Sequence, residues 1–163
     1  MGAMTMSRRD KRDLATGAAG GLAGGLVLTA VMLLAERATR QPSDAIVMFR
    51  RGERQLGLPH RRLTARPSVR EEVAAEGGHL LLSAVLGGGF GVLRRGLGLS
   101  AQPAGLLLGL GFYPLAHWLV APLLGLMRPP WRQRPLKMAQ RVVLHAVFGS
   151  VTALVADRLD RRF

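Results

Sequence analysis

The sequence predicts an all-α, polytopic membrane protein, with four transmembrane helices arranged as two hairpins in a bundle. Apolar residues make up 48% of the 163-residue chain, an ordinary share for a soluble protein. They are gathered into long blocks, however, and almost every charge lies between the blocks. The first block, Leu14 to Ala35, is 22 residues without a charge, enough to cross a hydrocarbon core of about 30 Å. Glycines crowd into the blocks. Each would cost a soluble helix about 0.8–1 kcal/mol relative to alanine, whereas in a bilayer small residues let helix backbones approach closely.

The elements follow in order. Residues 1–13 form a basic N-terminal segment, and 14–163 a single membrane domain. The first helix spans about 14–35; Gly17, Gly21 and Gly25 recur every four residues along it, as do Gly20 and Gly24. A cleaved signal peptide is the rival reading, but the apolar run is too long and "LLAERATR" is a poor cleavage site. A basic loop, 36–68, follows. Within it Ala45, Met48, Phe49 and Leu56 fall near one face, which reads as a short helix on the membrane surface, with an irregular polar loop as the alternative.

The second helix spans about 69–95. Pro67, Ser68 and Glu71 mark its start, the serine and glutamate forming a capping box, and its apolar part runs from Gly77 to Leu93. No strand precedes Gly87, Gly88 and Gly89 and no lysine follows, so they are read as helix-packing residues and not a phosphate loop. The third helix, about 104–127, contains Pro114 and Pro122, whose kinks a membrane helix tolerates when neighbours satisfy the freed carbonyls. Tyr113 and Trp118 read as packing residues. The fourth, about 135–158, opens on Pro135, a favoured first helical residue. Only 15 residues, Val142 to Ala156, are free of charge; Lys137 and Arg141 near its start could snorkel, and a re-entrant or interfacial helix is the alternative.

The second and fourth helices align without gaps: His79 with His145, Ser83 with Gly149, Val85 with Val151, Arg95 with Arg161. The alignment predicts two repeated hairpins whose histidines enter the bilayer at similar depth from the same side. With four crossings, the side carrying both termini holds 9 Lys+Arg and the other side 14. The positive-inside rule then puts the termini outside and the long loops in the cytoplasm.

Net charge is +13, from 23 Lys+Arg against 10 Asp+Glu. Such a chain meets either nucleic acid or an anionic membrane surface. The basic loops carry few aromatics, Phe49 and Trp131, so the expected partners are the bilayer and its anionic lipid headgroups, not nucleic acid. A membrane-protein partner or a second copy is a further expectation. The absence of cysteine removes disulfides and thiolate metal sites.

The chemistry, if any, lies with His79, His117 and His145, one on each of three helices. The bland reading is a set of interhelical hydrogen bonds. Ionisable groups at membrane depth are costly, however, and imidazole titrates in the physiological range. The sequence therefore predicts an interior cluster in which His79 and His145 interact, directly or through water, with His117 nearby but deeper. Protonating it would set like charges together, so the bundle should loosen as pH falls through about 6–7. Such a set could also relay protons or supply an axial ligand to haem, although the sequence shows no pocket for one. A zinc site would lack ligands, only Glu76 being near. Hydrolytic catalysis would lack an orienting acid beside Ser83, Ser150 or Thr152. The expectation is therefore a non-enzymatic protein without a metal. The alternatives are an accessory subunit near a cofactor, or an oligomeric proton or ion conductor.

The runs "HLLLSAVLGGGFGVL", "AGLLLGLGFYPLAHWLVAPLLGL" followed by "PPW", and "VVLHAVFG" with its basic end resemble the YagU-like bacterial inner-membrane proteins and similar small four-helix families. The likeness covers about Gly77 to Arg162. Its motif is H-x3-S at His79, H-x4-P at His117, then PP, then H-x2-F-G at His145. The long basic loop departs from the Pro-rich segment of those proteins. The resemblance implies an inner-membrane protein linked to acid tolerance, and it carries over no catalytic residue.

Overall fold

A computed structural model describes residues 6–162, and among them there is no strand. The helices are α1 (Arg8–Thr39), α2 (Asp44–Gln55), α3 (Val69–Leu93), α4 (Ala101–Leu123) and α5 (Pro135–Asp160). All but α2 are long and apolar enough to cross a membrane. Only 17–33% of each apolar stretch is buried within the protein, and the outward side chains are mostly Leu and Val, as a lipid-facing surface requires. The chain is a multi-pass membrane protein.

Local chemistry sets each boundary. α1 starts earlier than its apolar block, because Ser7 and Asp10 close a capping box that satisfies the free N–H groups of the first turn. Residues from Arg8 of the expected N-terminal segment therefore belong to the helix, and residues 1–5 lie outside the described set. α1 ends at Arg40, which takes a left-handed conformation at φ 56°. Ser68 and Glu71 cap α3 as the sequence indicates, and Pro135 opens α5. In α4 the prolines have a specific effect. Pro122 has no N–H to give the preceding turn. The residues ahead of it widen into a π-turn over Leu115–Val120, a feature common at functional sites.

The helices pack in the order α3, α1, α5, α4. Three rows of glycine draw them together. A Cβ at Gly17 or Gly21 would run into backbone of Gly87, Gly91 or Ser83 on α3. At Gly20 and Gly24 it would meet Thr152, Phe148 and Ala156 on α5. The third row joins α4 to α5: Gly105 lies on Gly149, and Gly109 on the His145 carbonyl. Gly25 packs on Ser83 and Leu80, and Gly88 on Leu14 and Ala18. Gly89 has nothing within 4 Å of a would-be Cβ, so helix packing is not its role. A run of three glycines spans most of a helical turn, and all three cannot face one neighbour.

The two ends of the bundle differ. At the end carrying the termini, Asp160 of α5 pairs with Arg12 of α1 and Arg94 following α3. Arg95 reaches the buried Asp13 of α1 at 2.5 Å. Just inside, Phe90 of α3 packs on Ala104 of α4 and Ala153 of α5. Toward the other end a cleft opens between the helices, covered by Asp44, Ala45 and Met48 of α2.

That helix was expected to lie on the membrane surface through Ala45, Met48, Phe49 and Leu56. The short helix forms, and it is docked on the protein: Ile46 and Arg50 are its buried residues, while Leu56 is 75% exposed. The anchor is Arg50. Its guanidinium grips both oxygens of Glu71, at 2.8 and 3.2 Å, and donates to the carbonyls of Arg62 and Ala65, each at 2.8 Å. A bidentate pair with backbone acceptors completes the coordination that a buried charge demands.

Candidate functional site

The cleft has a volume of about 680 Å³ and walls from all five helices. Leu28 and Val31 of α1, Leu82 and Leu86 of α3, and Leu144 and Phe148 of α5 make it apolar. His79, His117 and His145 all line it.

Two of the three histidines touch. Gly109 brings the α4 backbone against the carbonyl of His145, and two turns further on the π-turn presents His117. The two imidazoles meet edge to face, with ring centroids 4.8 Å apart. Tyr113 packs on both, at 5.4 Å from His117 and 5.3 Å from His145, and its buried hydroxyl has no hydrogen-bond partner among the described residues. His145 Nδ1 lies 2.8 Å from the Arg141 carbonyl. A carbonyl only accepts, so Nδ1 carries the hydrogen and Nε2 is the nitrogen left to accept a proton. His117 Nδ1 sits 3.4 Å from Met127 Sδ.

His79 stands on the other wall. Thr29 Oγ1 donates to Glu76 Oε2 at 2.8 Å and lies 3.2 Å from His79 Nδ1. The one hydroxyl hydrogen is spent on the carboxylate, so the ring nitrogen donates in turn. Glu76 Oε1 is buried without a partner among the described residues.

The sequence predicts His79 and His145 interacting, directly or through water, with His117 nearby but deeper; all three line the cleft, but the ring contact is between His117 and His145. The reason is the packing order. α1 lies between α3 and α5, so equal depth does not bring their side chains together, whereas the Gly105–Gly149 crossing puts α4 directly on α5. Tyr113 is buried as a packing residue, but Trp118 is 46% exposed, because α4 turns that face outward.

The mouth of the cleft is charged. Arg141 Nε donates to Asp44 Oδ2 at 2.8 Å, and another of its nitrogens donates to Gln133. Burial alone would raise the Asp44 carboxyl, but the hydrogen bond and charge of Arg141 outweigh it and hold the group below its ordinary value. Glu36 accepts from the Ser43 backbone N–H at 3.1 Å. Lys137 lines the mouth without an acidic partner among the described residues.

Among the described residues no three His, Asp or Glu side chains converge as metal ligands. The touching rings of His117 and His145 leave no space for a haem between them. Sequence reasoning did not single out Arg50, Asp13, Asp160, Thr29 or the Asp44–Arg141 pair. A buried ion pair across many residues has no local periodicity, and it is invisible until the helices are placed. No family model, curated protein or solved structure matches the chain.

Proposed function

We propose that the protein is a non-enzymatic component of a bacterial inner membrane that responds to protonation of the histidines in its cleft, and through them to acid stress. The observation that carries this reading is the His117–His145 contact at 4.8 Å, inside a cleft whose opposite wall carries His79. Two imidazolium ions at that separation repel strongly in a medium of low dielectric. The charged groups facing the pair are Arg141 and, behind it, Asp44; Glu76 faces His79. The cationic Arg141 adds to the repulsion. The uneven share of Lys and Arg supports a cytoplasmic position for α2 and the long loops, with the termini outside. The resemblance to YagU-like proteins points the same way, toward acid tolerance.

The test is the pH dependence of thermal stability in mild detergent. The native protein should lose several degrees of melting temperature as pH falls from about 8 to about 5, across the range in which imidazole takes up a proton. The single variants His117→Gln and His145→Gln should each reduce that slope, and the double variant should flatten it. A native profile that is already flat, or a double variant with an unchanged slope, removes the histidine pair as the sensor.

A further inference from the structure

Beside the apolar cleft lies a second, smaller pocket of about 200 Å³, between α2, residues 126–134 and the start of α5. The two spaces share Asp44, Met48, Lys137 and Arg141. They adjoin at the Asp44–Arg141 pair and are opposite in character. We propose that together they hold a single anionic phospholipid, with its phosphate in the smaller pocket and its acyl chains in the cleft.

The charge balance supports the phosphate end. Arg51, Arg128, Arg132, Arg134 and Lys137 line the small pocket, and none has an acidic partner among the described residues. The lone acid there, Asp44, is engaged by Arg141. Five cations line a small volume whose single acid is already hydrogen-bonded to Arg141. Arg51 is held in place by donating to the Leu126 carbonyl at 3.0 Å. A second observation is independent of side-chain charge. α5 begins at this pocket with Arg134 as its N-cap, and no side chain caps it. The N–H groups of Leu136 and Lys137 and the positive end of a 26-residue helix therefore remain available to an anion. Basic pockets at the ends of membrane helices are suited to anionic headgroups.

The cleft supports the other end. It is bounded by leucine, valine and phenylalanine, and its size falls in the range of ordinary ligand cavities, about 300–1,000 Å³. α3 and α4 scarcely touch each other, so an acyl chain can enter sideways between them without leaving an apolar medium. Lipid tails are as apolar as leucine, so a tail gains little by moving from bilayer to cleft. Selectivity must then come from the head: the cleft fixes where the lipid lies, and the basic pocket decides which lipid it is. This goes beyond the diffuse attraction of basic loops to a charged surface, because it assigns one lipid to one place. It rests on the reading above only in treating the cleft as the working site.

The experiment is native mass spectrometry of the full chain in mild detergent, titrated with phosphatidylglycerol or phosphatidylcholine of identical acyl chains. The native protein should retain one phosphatidylglycerol about tenfold more tightly than phosphatidylcholine. The triple variant Arg132→Gln/Arg134→Gln/Lys137→Gln changes three exposed, unpaired side chains, so its melting without added lipid should match the native protein. It should bind both lipids equally. Val143→Trp, at a 60% exposed position lining the cleft, should weaken both. Excess inorganic phosphate should not displace the lipid. Equal retention of the two lipids by the native protein, an unaltered preference in the triple variant, or displacement by inorganic phosphate alone would each overturn the proposal. The His117→Gln/His145→Gln protein should keep its lipid, so failure of the histidine reading and failure of this one are separate results.

Discussion

Two seams of the bundle that the internal repeat makes equivalent are packed in opposite ways. In the first hairpin Gly25 of α1 sits on Leu80 and Ser83 of α3; in the second, Gly109 of α4 sits on His145 and Ala146 of α5. These are the same register, since His79 aligns with His145 and Ser83 with Gly149. Carried across it, the seam between α1 and α5 corresponds to the seam between α4 and α3. Gly20 and Gly24 become Ala104 and Leu108, while Thr152 and Ala156 become Leu86 and Phe90. The small-residue seam closes backbone against backbone. The bulky seam is propped at one end by Phe90 on Ala104, with Leu108 beside it, and further along Leu86 lines the open cleft. Side-chain volume at a handful of positions is therefore enough to turn a symmetric four-helix arrangement into one with a lateral opening.

The largest expected effect comes from breaking the tight seam. A Cβ at Gly24 would lie 2.7 Å from Thr152 Oγ1 and 2.8 Å from the Phe148 carbonyl oxygen. Overpacking of a core ordinarily costs about 1–3 kcal/mol, and here the obstruction includes backbone, which yields least. Gly24→Leu should exceed that range, and Gly20→Leu/Gly24→Leu should separate the hairpins and abolish a monodisperse protein in detergent. Gly89→Leu is the control. It meets open space and should shift stability by less than about 0.5 kcal/mol. Size-exclusion profiles and thermal unfolding decide it: a Gly24→Leu protein that melts like the native one means that α1 and α5 are not in contact.

Much of this fold is legible before any coordinates. Hydropathy blocks place the four long helices, and Ser68 with Glu71 and Pro135 mark two of their starts, because these signals act over a few residues. The four-residue glycine spacing of α1 announces close packing but not which partner takes which row. Gly105, Gly109 and Gly149 carry the same signal in a shorter form and were not singled out. The site is less legible for the same reason. Three histidines at membrane depth are visible in the chain; which two meet depends on the packing order. The docking of α2 is hidden because Arg50 occupies a position that composition assigns to solvent. Only the conjunction of Glu71 with the carbonyls of Arg62 and Ala65 makes its burial tolerable.

That arginine gives the intermediate prediction, because it fixes the roof over the open seam. Arg50 is fully buried. Its removal leaves Glu71 with its capping bonds to Ser68 and a more distant Arg61, at 3.6 Å. Deleting one partner of a buried pair typically costs about 3–5 kcal/mol. Arg50→Ala should fall near the lower figure, since Glu71 keeps those bonds. Lysine should not restore it, lacking the planar fork that serves a carboxylate and two carbonyls together. Limited proteolysis gives the local readout. Residues 56–68 should become cleavable in Arg50→Ala and Arg50→Lys while α1, α3 and α5 stay resistant. Cleavage no faster than in the native chain would show that the roof is held by something other than this pair.

The smallest effect concerns the latch at the mouth of the cleft, where Asp44 of the roof meets Arg141 of α5. The Asp44 carboxyl is held below its ordinary value, since the hydrogen bond and charge of Arg141 outweigh the opposing effect of burial. A carboxylate depressed by folding contributes stability that is fully present above the unfolded-state value and is lost as pH falls through the folded one. The window is therefore acidic, at and below the ordinary carboxylate range. The aspartate side chain is 42% exposed, and water screens the pair, so its contribution should be below about 1 kcal/mol. Asp44→Asn should lower the melting temperature slightly at pH 7 and converge with the native protein only below the ordinary carboxylate range, once both lack the charge. Between pH 5 and 8 the two should run parallel, because Asp44 stays ionised there while any slope belongs to the histidines. Curves that converge in that higher window instead would mean that Asp44 and the imidazoles titrate as one unit, and that the roof and the open seam respond to protons together.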